Sequence, residues 1–353
     1  MRGVVFKGDR KIEVLNFDDP EPGPTDAIIE MKASSFCGSD LKFYRDGVGP
    51  AVRTLGLPTG GMKDGDLIIA GHEPCGVVAA LGKDVDPRSF KIGDRVVVFH
   101  YDGCNYCDHC RKGWTQMCDH GAKLYGITAH GGHANYLKVP VKTLIHLPEE
   151  VSFAAGAAIA CGTGTAYHAL VRIDFSARDT LAVFGLGPVG QSAVQFASTM
   201  GARVIAVDVS KERAEKAREF GATDVVDASA GDPVQVIRDL TGGKGVTCAM
   251  DCSGAAPARQ AAVRSTDAWG RIAFVGAGGD VSLDVTKDVI SKQRTIIGSW
   301  TFSDVGLANC VRFVADHGVD VDKQFTDRWT LDQADQAYRE FDKQSGGKGV
   351  IVF

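Results

Sequence analysis

The chain lacks any block of like charge. Its 39 Lys and Arg and its 44 Asp and Glu give a formal net charge of -5 over 353 residues, and the two signs are interspersed along the sequence. Binding to nucleic acid or to an anionic membrane surface needs basic side chains concentrated on one stretch or face. We therefore expect no nucleic-acid partner and no membrane partner, and a small molecule as the ligand.

Long hydrophobic runs are also missing. The longest uncharged stretch, residues 153–171, approaches the length of a membrane span, but Gly, Thr and His dilute it, which favours a buried segment of a soluble protein. The first residues, MRGVVFKGDRKIEVLNF, carry charges early and hold no apolar core of the signal-peptide type. We therefore expect a cytoplasmic protein.

Cysteine, by contrast, is abundant, with ten in the chain. At this length and without a leader, metal ligation or free thiols are favoured over disulfides. Four cysteines share the spacing C-x2-C-x2-C-x7-C: Cys104, Cys107, Cys110 and Cys118. Four thiolates on a tight loop suit a closed tetrahedral zinc site, which stabilises a lobe and performs no chemistry. The alternative is an iron–sulfur cluster, but the ferredoxin run ends in a three-residue gap and a proline that this window lacks.

The length of the chain suits two domains, and three regions of it differ in their predicted secondary structure. Residues 1–150 combine short β-type runs, such as DAIIEMKASS, with Gly, Pro and Asp turns, which predicts a mostly β domain. From about 165 to 298, strands such as TLAVFG and RVIAVD alternate with helical segments, which predicts a doubly wound parallel sheet. Residues 299–353 hold two helical segments and a last strand, GVIVF, that we expect to pack back onto the first region.

A dinucleotide-binding fingerprint lies in the second region. VFGLGPVGQSAV places Gly185, Gly187 and Gly190 as G-x-G-x-x-G between a strand and a helix, and Asp208 ends the next strand. The first glycine permits the tight turn, and the second lets the backbone approach a pyrophosphate at the helix N-terminus. The Asp208 carboxylate would accept hydrogen bonds from the adenosine ribose and repel a 2′-phosphate, so NAD is predicted over NADP.

A second set of possible metal ligands is dispersed. It comprises Cys37 in SSFCGSD, the adjacent His72 and Glu73 in AGHEPCG, and Cys161 in ACGTGT. Two Cys and one His form the open catalytic type of zinc site, which leaves a fourth position for water or substrate. Each residue alone is more often a buried structural side chain, and spacing alone leaves the two interpretations evenly balanced.

At this point the chain resembles the zinc-dependent medium-chain dehydrogenases, the alcohol dehydrogenase superfamily. GHEPCGVVAALG matches the family's G-H-E-x-x-G signature, and CGSD, the four-cysteine window, GLGPVG and VDVSKERAEKAREFGA occur in the family's order. The resemblance implies an α/β protein with a Rossmann doubly wound cofactor domain at 163–298. It implies a mostly β, GroES-like catalytic domain with a structural zinc lobe at 1–162 and 299–353.

The resemblance also implies roles for single residues. Cys37, His72 and Cys161 would bind a catalytic zinc, Glu73 would lie behind it as an outer or transient ligand, and Asp40 would fix the His72 tautomer. Ser39 would take the alcohol proton, while Lys42 stands where many members have the histidine that ends the proton path. The implied cofactor contacts are Thr165 at the nicotinamide, Arg213 at the adenosine ribose, Lys348 at the pyrophosphate, and Pro188, Val189 and Gly276 in the binding loops.

The expected function is hydride transfer between NAD and an alcohol/carbonyl pair, with two zinc ions per chain. A polyol, sugar-alcohol or threonine-type dehydrogenase of the same family is the alternative; a zinc-free reductase or a non-catalytic binding protein fits the retained ligands poorly. The segment 45–66 lengthens the family's usual interval before His72, and its Gly and Pro content predicts a mobile loop. This loop either shapes substrate choice or is a surface excursion without a role, and the sequence leaves both open. The resemblance further implies a homo-oligomer, with a tetramer favoured over a dimer.

Overall fold

The fold is described by a computed structural model for residues 1–63, 65–343 and 347–353. The strands are β1 Arg2–Gly8, β2 Lys11–Asn16, β3 Asp26–Ser35, β4 Pro74–Leu81, β5 Arg95–Val98, β6 Tyr101–Asp102, β7 Lys123–Leu124, β8 Tyr136–Pro140, β9 Leu144–His146, β10 Thr180–Phe184, β11 Arg203–Asp208, β12 Asp224–Asp227, β13 Val246–Asp251, β14 Thr266–Phe274, β15 Thr295–Gly298, β16 Phe325–Trp329 and β17 Lys348–Val352. The α-helices are α1 Asp40–Asp46, α2 Val48–Leu55, α3 Asp108–Arg111, α4 Phe153–Ala158, α5 Gly164–Arg172, α6 Pro188–Thr199, α7 Lys211–Lys216, α8 Pro233–Leu240, α9 Ala256–Arg264, α10 Asp304–His317 and α11 Ala334–Asp342.

The chain divides into two compact units, the first made of Met1–Cys161 and Phe302–Phe353 and the second of Gly162–Thr301. The predicted boundaries at 162/163 and 298/299 lie within a few residues of these. No helix among the described residues combines the length and the apolar character that crossing a bilayer requires.

The first unit is built on a seven-stranded sheet in the order β16-β17-β3-β4-β5-β9, with β8 also paired to β3. Alternate side chains of β3, Ala27, Ile29 and Met31, are buried in one core with side chains of β4, β5 and β8, as the period of two in a strand requires. The C-terminal strand β17 pairs antiparallel with β3, so the end of the chain does pack onto the first region as predicted.

The second unit holds a six-stranded sheet in the order β12-β11-β10-β13-β14-β15, with every neighbouring pair parallel. In order of sequence this is 3-2-1-4-5-6, the Rossmann arrangement. The order reverses between β10 and β13, and in such sheets ligands bind outside the carboxyl ends of the strands at that point. The predicted doubly wound domain is confirmed.

The prediction of a loop over 45–66 is wrong for half of that segment. Val48–Leu55 is a helix, α2, that buries Ala51 and Val52. Pro50 is tolerated because it lies in the first turn, where the backbone N–H has no helical acceptor, and Gly56 ends the helix at φ +63°. Asp64, in the remainder of the segment, lies outside the described residues.

Candidate metal centres and cofactor-binding loop

Two adjacent strands and one distorted helix bring the dispersed candidate ligands together. Cys37 follows β3, and His72 and Glu73 immediately precede β4, which pairs with β3 through Ser34 and Pro74. Cys161 lies in a π-helical turn, Ile159–Thr163, between α4 and α5. Such turns are rare and frequently occur at functional sites.

The geometry of this set fits one tetrahedral metal ion. The ligand atoms of Cys37, His72, Glu73 and Cys161 all lie within 4.8 Å of one another. The two sulfurs are 3.9 Å apart, and two sulfurs on one zinc at about 2.3 Å and tetrahedral angles would be roughly 3.8 Å apart. Residues separated by more than a hundred positions therefore form a set of the open catalytic type.

The Asp40 carboxylate contacts two of the possible ligand residues, His72 and Cys37. Its Oδ1 lies 2.8 Å from His72 Nδ1, a contact at ion-pair distance in which the ring N–H is not ideally aligned, and its Oδ2 accepts a hydrogen bond from the backbone N–H of Cys37 at 2.9 Å. His72 Nε2 is thus the nitrogen left for a metal, and Ser39 Oγ lies 3.3 Å from it. Asp40 and Ser39 therefore lie at opposite nitrogens of the same imidazole.

The ionisation of the ligands is strongly perturbed. The hydrogen bond from Cys161 lowers the pKa of the Cys37 thiol well below its usual value. Burial opposes the charging of His72, but the Asp40 carboxylate more than offsets this and raises the pKa of His72 well above its ordinary value. Without a metal these shifts favour a Cys37 thiolate beside a protonated His72, and a bound cation would replace that proton.

Glu73 is fully buried and its carboxylate is held by two partners. Ser35 Oγ donates to its Oε2, and Lys348 Nζ lies 2.5 Å from the same oxygen. Burial raises the pKa of Glu73, with the Lys348 ammonium acting against that rise. A buried carboxylate needs such compensation, because an unpaired charge in the interior is costly.

The pyrophosphate role predicted for Lys348 is not supported by its position. Its side chain is 1 % exposed, and its ammonium is shared between Glu73 and the carbonyl of Phe36 at 2.8 Å. A buried ammonium held by two protein acceptors is not presented to a phosphate. The lysine instead supports the dispersed metal set.

The four-cysteine window forms a second, separate metal centre. The ligand atoms of its four cysteines also lie within 4.8 Å of one another, and Cys104 Sγ and Cys110 Sγ are 4.0 Å apart. The backbone N–H of Cys107 points to Cys104 Sγ at 3.4 Å, and that of Cys104 to Cys118 Sγ at 3.3 Å. Burial opposes the thiolate of Cys104, but backbone N–H groups outweigh it and lower its pKa to about 7. Four thiolates would occupy all four positions of a tetrahedral ion, so this site is of the closed type.

The glycine-rich turn after β10 has the geometry that a dinucleotide needs. Gly185 has φ +88°, and a Cβ on Gly190 would lie 1.9 Å from the carbonyl oxygen of Gly185, so neither tolerates a side chain. At Gly187, the N-cap of α6, no described atom lies within 4 Å of where a Cβ would stand. This leaves the N-terminus of α6 open to an anion, with Pro188 as its first residue.

The Asp208 carboxylate is hydrogen-bonded both to the turn after β10 and to the turn after β11. Its Oδ2 accepts a hydrogen bond from the N–H of Leu186 at 2.7 Å, and its Oδ1 accepts from the N–H of Ser210 at 2.9 Å. The carboxylate therefore lies at the carboxyl ends of β10 and β11, where an adenosine ribose would bind.

Comparison with known proteins agrees with this geometry. A family model described as the alcohol dehydrogenase GroES-like domain matches residues 23–149, and one described as zinc-binding dehydrogenase matches residues 188–316. The sequence is 38 % identical over all of this chain and 99 % of the relative to YphC of Escherichia coli (strain K12), an uncharacterized zinc-type alcohol dehydrogenase-like protein. The chain belongs to the zinc-dependent medium-chain dehydrogenase family.

Two further relatives represent different substrates within this family. Sorbitol dehydrogenase of Bacillus subtilis (strain 168) is 28 % identical over 96 % of this chain and 92 % of its own length. The structure of alcohol dehydrogenase TADH from Thermus sp. ATN1 superposes with a TM-score of 0.88 at 26 % identity, covering 100 % of this chain and 99 % of that one. The protein is thus a zinc-dependent oxidoreductase of the alcohol dehydrogenase type, with a small-molecule substrate and the NAD cofactor typical of the family.

The remaining predicted site residues of this dehydrogenase have definite positions. Lys42 lies on α1, where its ammonium pairs with Asp46 at 2.5 Å. Thr165 is buried in the first turn of α5, and Arg213 lies half-buried on α7, whose N-cap is Ser210. Val189 is the second residue of α6, and Gly276 lies just beyond β14, where a Cβ would meet Gly254 at 2.2 Å.

Two residues near the dispersed set, His100 and Tyr338, were missed by the sequence analysis. The His100 ring lies 5.3 Å from that of His72, with Nδ1 3.1 Å from the carbonyl of Ala160, and burial, followed by the charge of His72, lowers its pKa to about 3. Tyr338 and His133 lie on the far side of Asp40. No local pattern marks these residues, since each reaches the site only through the tertiary fold.

Proposed function

We propose that this dehydrogenase oxidises an alcohol to the corresponding carbonyl compound with NAD, and catalyses the reverse reduction, at the site formed by Cys37, His72 and Cys161. The observation that carries the proposal is the approach of these three ligand atoms within 4.8 Å, with a 3.9 Å separation of the sulfurs. Bound zinc supplies a Lewis acid that lowers the pKa of an alcohol hydroxyl, and NAD supplies the hydride acceptor.

Ser39 is the group placed to move the proton. Its hydroxyl lies 3.3 Å from the metal-facing nitrogen of His72, and the residue is exposed, so it contacts both the ligand position and solvent. It would accept the proton of the alcohol and release its own, towards the cofactor ribose and water. Lys42, whose ammonium lies 2.5 Å from Asp46, is assigned no step in this path.

Asp208 supports NAD as the cofactor. Its carboxylate accepts two backbone hydrogen bonds, which fix its position where the adenosine ribose would bind. A 2′-phosphate would meet this negative charge, so NADP would be disfavoured. Thr165, Arg213 and Gly276 are retained as proposed cofactor contacts, at the nicotinamide, the ribose and the loop after β14.

The substrate we propose is a simple primary or secondary alcohol, with polyols as the second class. A cysteine at position 161 is the ligand that alcohol dehydrogenases use, whereas polyol and threonine dehydrogenases often carry a carboxylate in that region. Polyols are the second proposed substrate class because the chain is similar to a sorbitol dehydrogenase.

A cytoplasmic homo-oligomer completes the proposal. None of the ten cysteines is paired in a disulfide, which agrees with a reducing compartment. A tetramer is favoured over a dimer by resemblance to the family.

A substrate and cofactor panel tests the proposed reaction. Alcohols, polyols and aldehydes are assayed by nicotinamide absorbance with NAD and with NADP, for the native protein and for Asp208→Ala. We expect turnover of a simple alcohol, and a preference for NAD of at least about tenfold that falls in the variant. Equal rates with both cofactors in the native protein would contradict the role of Asp208, and turnover of polyols alone would select the second substrate class.

A further inference from the structure

A chain of buried polar groups leads away from the dispersed metal set. Behind His72 stands Asp40, whose Oδ2 accepts a hydrogen bond from the Tyr338 hydroxyl at 3.3 Å. The same hydroxyl lies 2.7 Å from His133 Nε2, and His133 Nδ1 lies 2.7 Å from Ser34 Oγ. His72, Asp40, Tyr338, His133 and Ser34 therefore form one connected series, which we call the Tyr338 relay.

The direction of each hydrogen bond in the relay is set by the carboxylate at its end. An ionised Asp40 can only accept, so the Tyr338 hydroxyl donates to it and its oxygen accepts from His133 Nε2–H. His133 Nδ1 then carries no proton and accepts from the Ser34 hydroxyl. Burial lowers the pKa of His133 to about 4 and raises that of Tyr338 well above its usual value, so both are neutral near pH 7 and suit this order.

The relay is shielded from water. The side chains of Ser34, Asp40, His133 and Tyr338 are each fully buried. Among the residues that the structure describes, Asp40 Oδ1 and His72 Nδ1 have no hydrogen-bond partner other than their mutual contact, so the position of the carboxylate decides how the imidazole is held. In such a low-dielectric environment a missing hydrogen-bond partner is costly.

Packing fixes the tyrosine that makes this link. The ring of Tyr338 lies 4.5 Å from that of Phe36, the residue before Cys37, and 4.9 Å edge-on from that of Phe6. Its helix, α11, is held to α1 by Arg45 Nε, which donates to Asp342 Oδ1 at 2.7 Å. The hydroxyl thus cannot move away from Asp40 without displacing a helix.

The neighbouring glycine provides the space for His133. Gly71, directly before His72, has φ +93°, and a Cβ there would lie 2.4 Å from His133 Nδ1. The backbone N–H of His133 also donates to the carbonyl of Ala70 at 2.9 Å. The imidazole is therefore packed against the segment that carries the ligand as well as being linked to it through Tyr338.

We propose that Tyr338, supported by His133, is a positioning residue of the catalytic zinc site, which holds Asp40 so that His72 and Cys37 present their ligand atoms in one geometry. The inference rests on the proposed function, because it assumes a metal at this set. Mutation of a residue that hydrogen-bonds to a metal ligand typically changes metal affinity by roughly 10- to 100-fold. Tyr338 is one hydrogen bond further from the ligand, so we expect its mutation to change zinc binding by roughly threefold to tenfold.

The experiment compares zinc release from the native protein, Tyr338→Phe and Tyr44→Phe. Tyr44 is an equally buried tyrosine of the same aromatic cluster, 5.6 Å from the Tyr338 ring, and its hydroxyl makes none of the relay's hydrogen bonds. Each protein is loaded with two zinc ions, and transfer to a chromogenic chelator is followed in time. The four-cysteine site serves as an internal reference in every sample, because the relay does not reach it.

We expect Tyr338→Phe to release one zinc roughly three to ten times faster and the other at the native rate, while Tyr44→Phe behaves as the native protein. The Co²⁺-substituted variant should show altered visible d–d bands. A His133→Asn variant should have a smaller effect alone and add little to Tyr338→Phe, as members of one network do.

Three outcomes would overturn the inference: native release rates with unchanged Co²⁺ bands in Tyr338→Phe; equal acceleration of both zinc ions, which would mean a general loss of structure; or equal effects of the two tyrosine variants. If the native protein itself binds only one zinc, at the four cysteines, it is the proposed function that fails.

Discussion

The two metal centres of this dehydrogenase are built in opposite ways. The four cysteines fall within 104–118, and their sulfurs receive hydrogen bonds from backbone N–H groups of the same loop. The dispersed set joins sulfurs 124 positions apart, and its supports come from still further along the chain, with Lys348 on Glu73 and Tyr338 on Asp40. The first centre therefore depends on contacts within one loop, whereas the second depends on contacts between distant parts of the first unit.

Their electrostatics differ for the same reason. In the loop, burial opposes the Cys104 thiolate, but backbone N–H groups, together with the side chains of Cys118 and Cys107, outweigh it and lower the pKa of Cys104 to about 7. In the dispersed set the fully buried Asp40 and Glu73 carboxylates are each paired with a buried cationic or ionisable partner, His72 and Lys348, because an unpaired charge in the interior is costly. A site that binds and polarises a substrate needs such an environment, and a closed structural site does not.

Among the variants that distinguish the two centres, Cys161→Ala is expected to have the largest effect, which is on turnover. It removes one of three ligands from the open site and leaves the four cysteines intact. Lewis-acid stabilisation is worth several kcal/mol, so we expect turnover to fall by at least about a thousandfold, with the melting temperature nearly unchanged. Steady-state kinetics with the best alcohol of the panel measure this, and activity within tenfold of native would refute the ligand assignment.

A smaller effect on turnover but a larger one on stability is expected from Cys110→Ala. The loop would lose its zinc, and with it about 3 kcal/mol or more of the free energy of unfolding. Denaturant unfolding measures the loss, and kcat per folded molecule should remain within about threefold of native, because the dispersed set does not depend on the loop. A variant that keeps its stability but loses turnover would reverse the roles of the two centres.

The features that could be predicted from the sequence are those that a short stretch of residues determines. The tight turn at Gly185, the parallel doubly wound sheet of the second unit and the clustering of the four cysteines were all predicted from motifs and patterns that are short in sequence. The dispersed ligands were recognised only through the family signature around His72, since spacing alone left them undecided.

What the sequence could not show depends on distant contacts. Nothing near Lys348 indicates that it meets Glu73, and a lysine close to the C-terminus was equally compatible with a phosphate contact. Tyr338 carries no motif, and its proximity to Asp40 arises from the packing of α11 on α1. His133 lies in the loop before β8 and meets the Tyr338 hydroxyl only in the folded chain. The helix α2 was missed because Gly and Pro were taken as breakers, although Pro50 lies in a first turn, where it is permitted.

The most direct test of the central claim is a crystal structure of the zinc-loaded protein with anomalous diffraction data collected on both sides of the zinc absorption edge. The account predicts two anomalous peaks per chain, one among the four cysteines and one about 2.3 Å from the sulfurs of both Cys37 and Cys161 and about 2.1 Å from Nε2 of His72. A peak among the four cysteines with none at Cys37, His72 and Cys161 would contradict it.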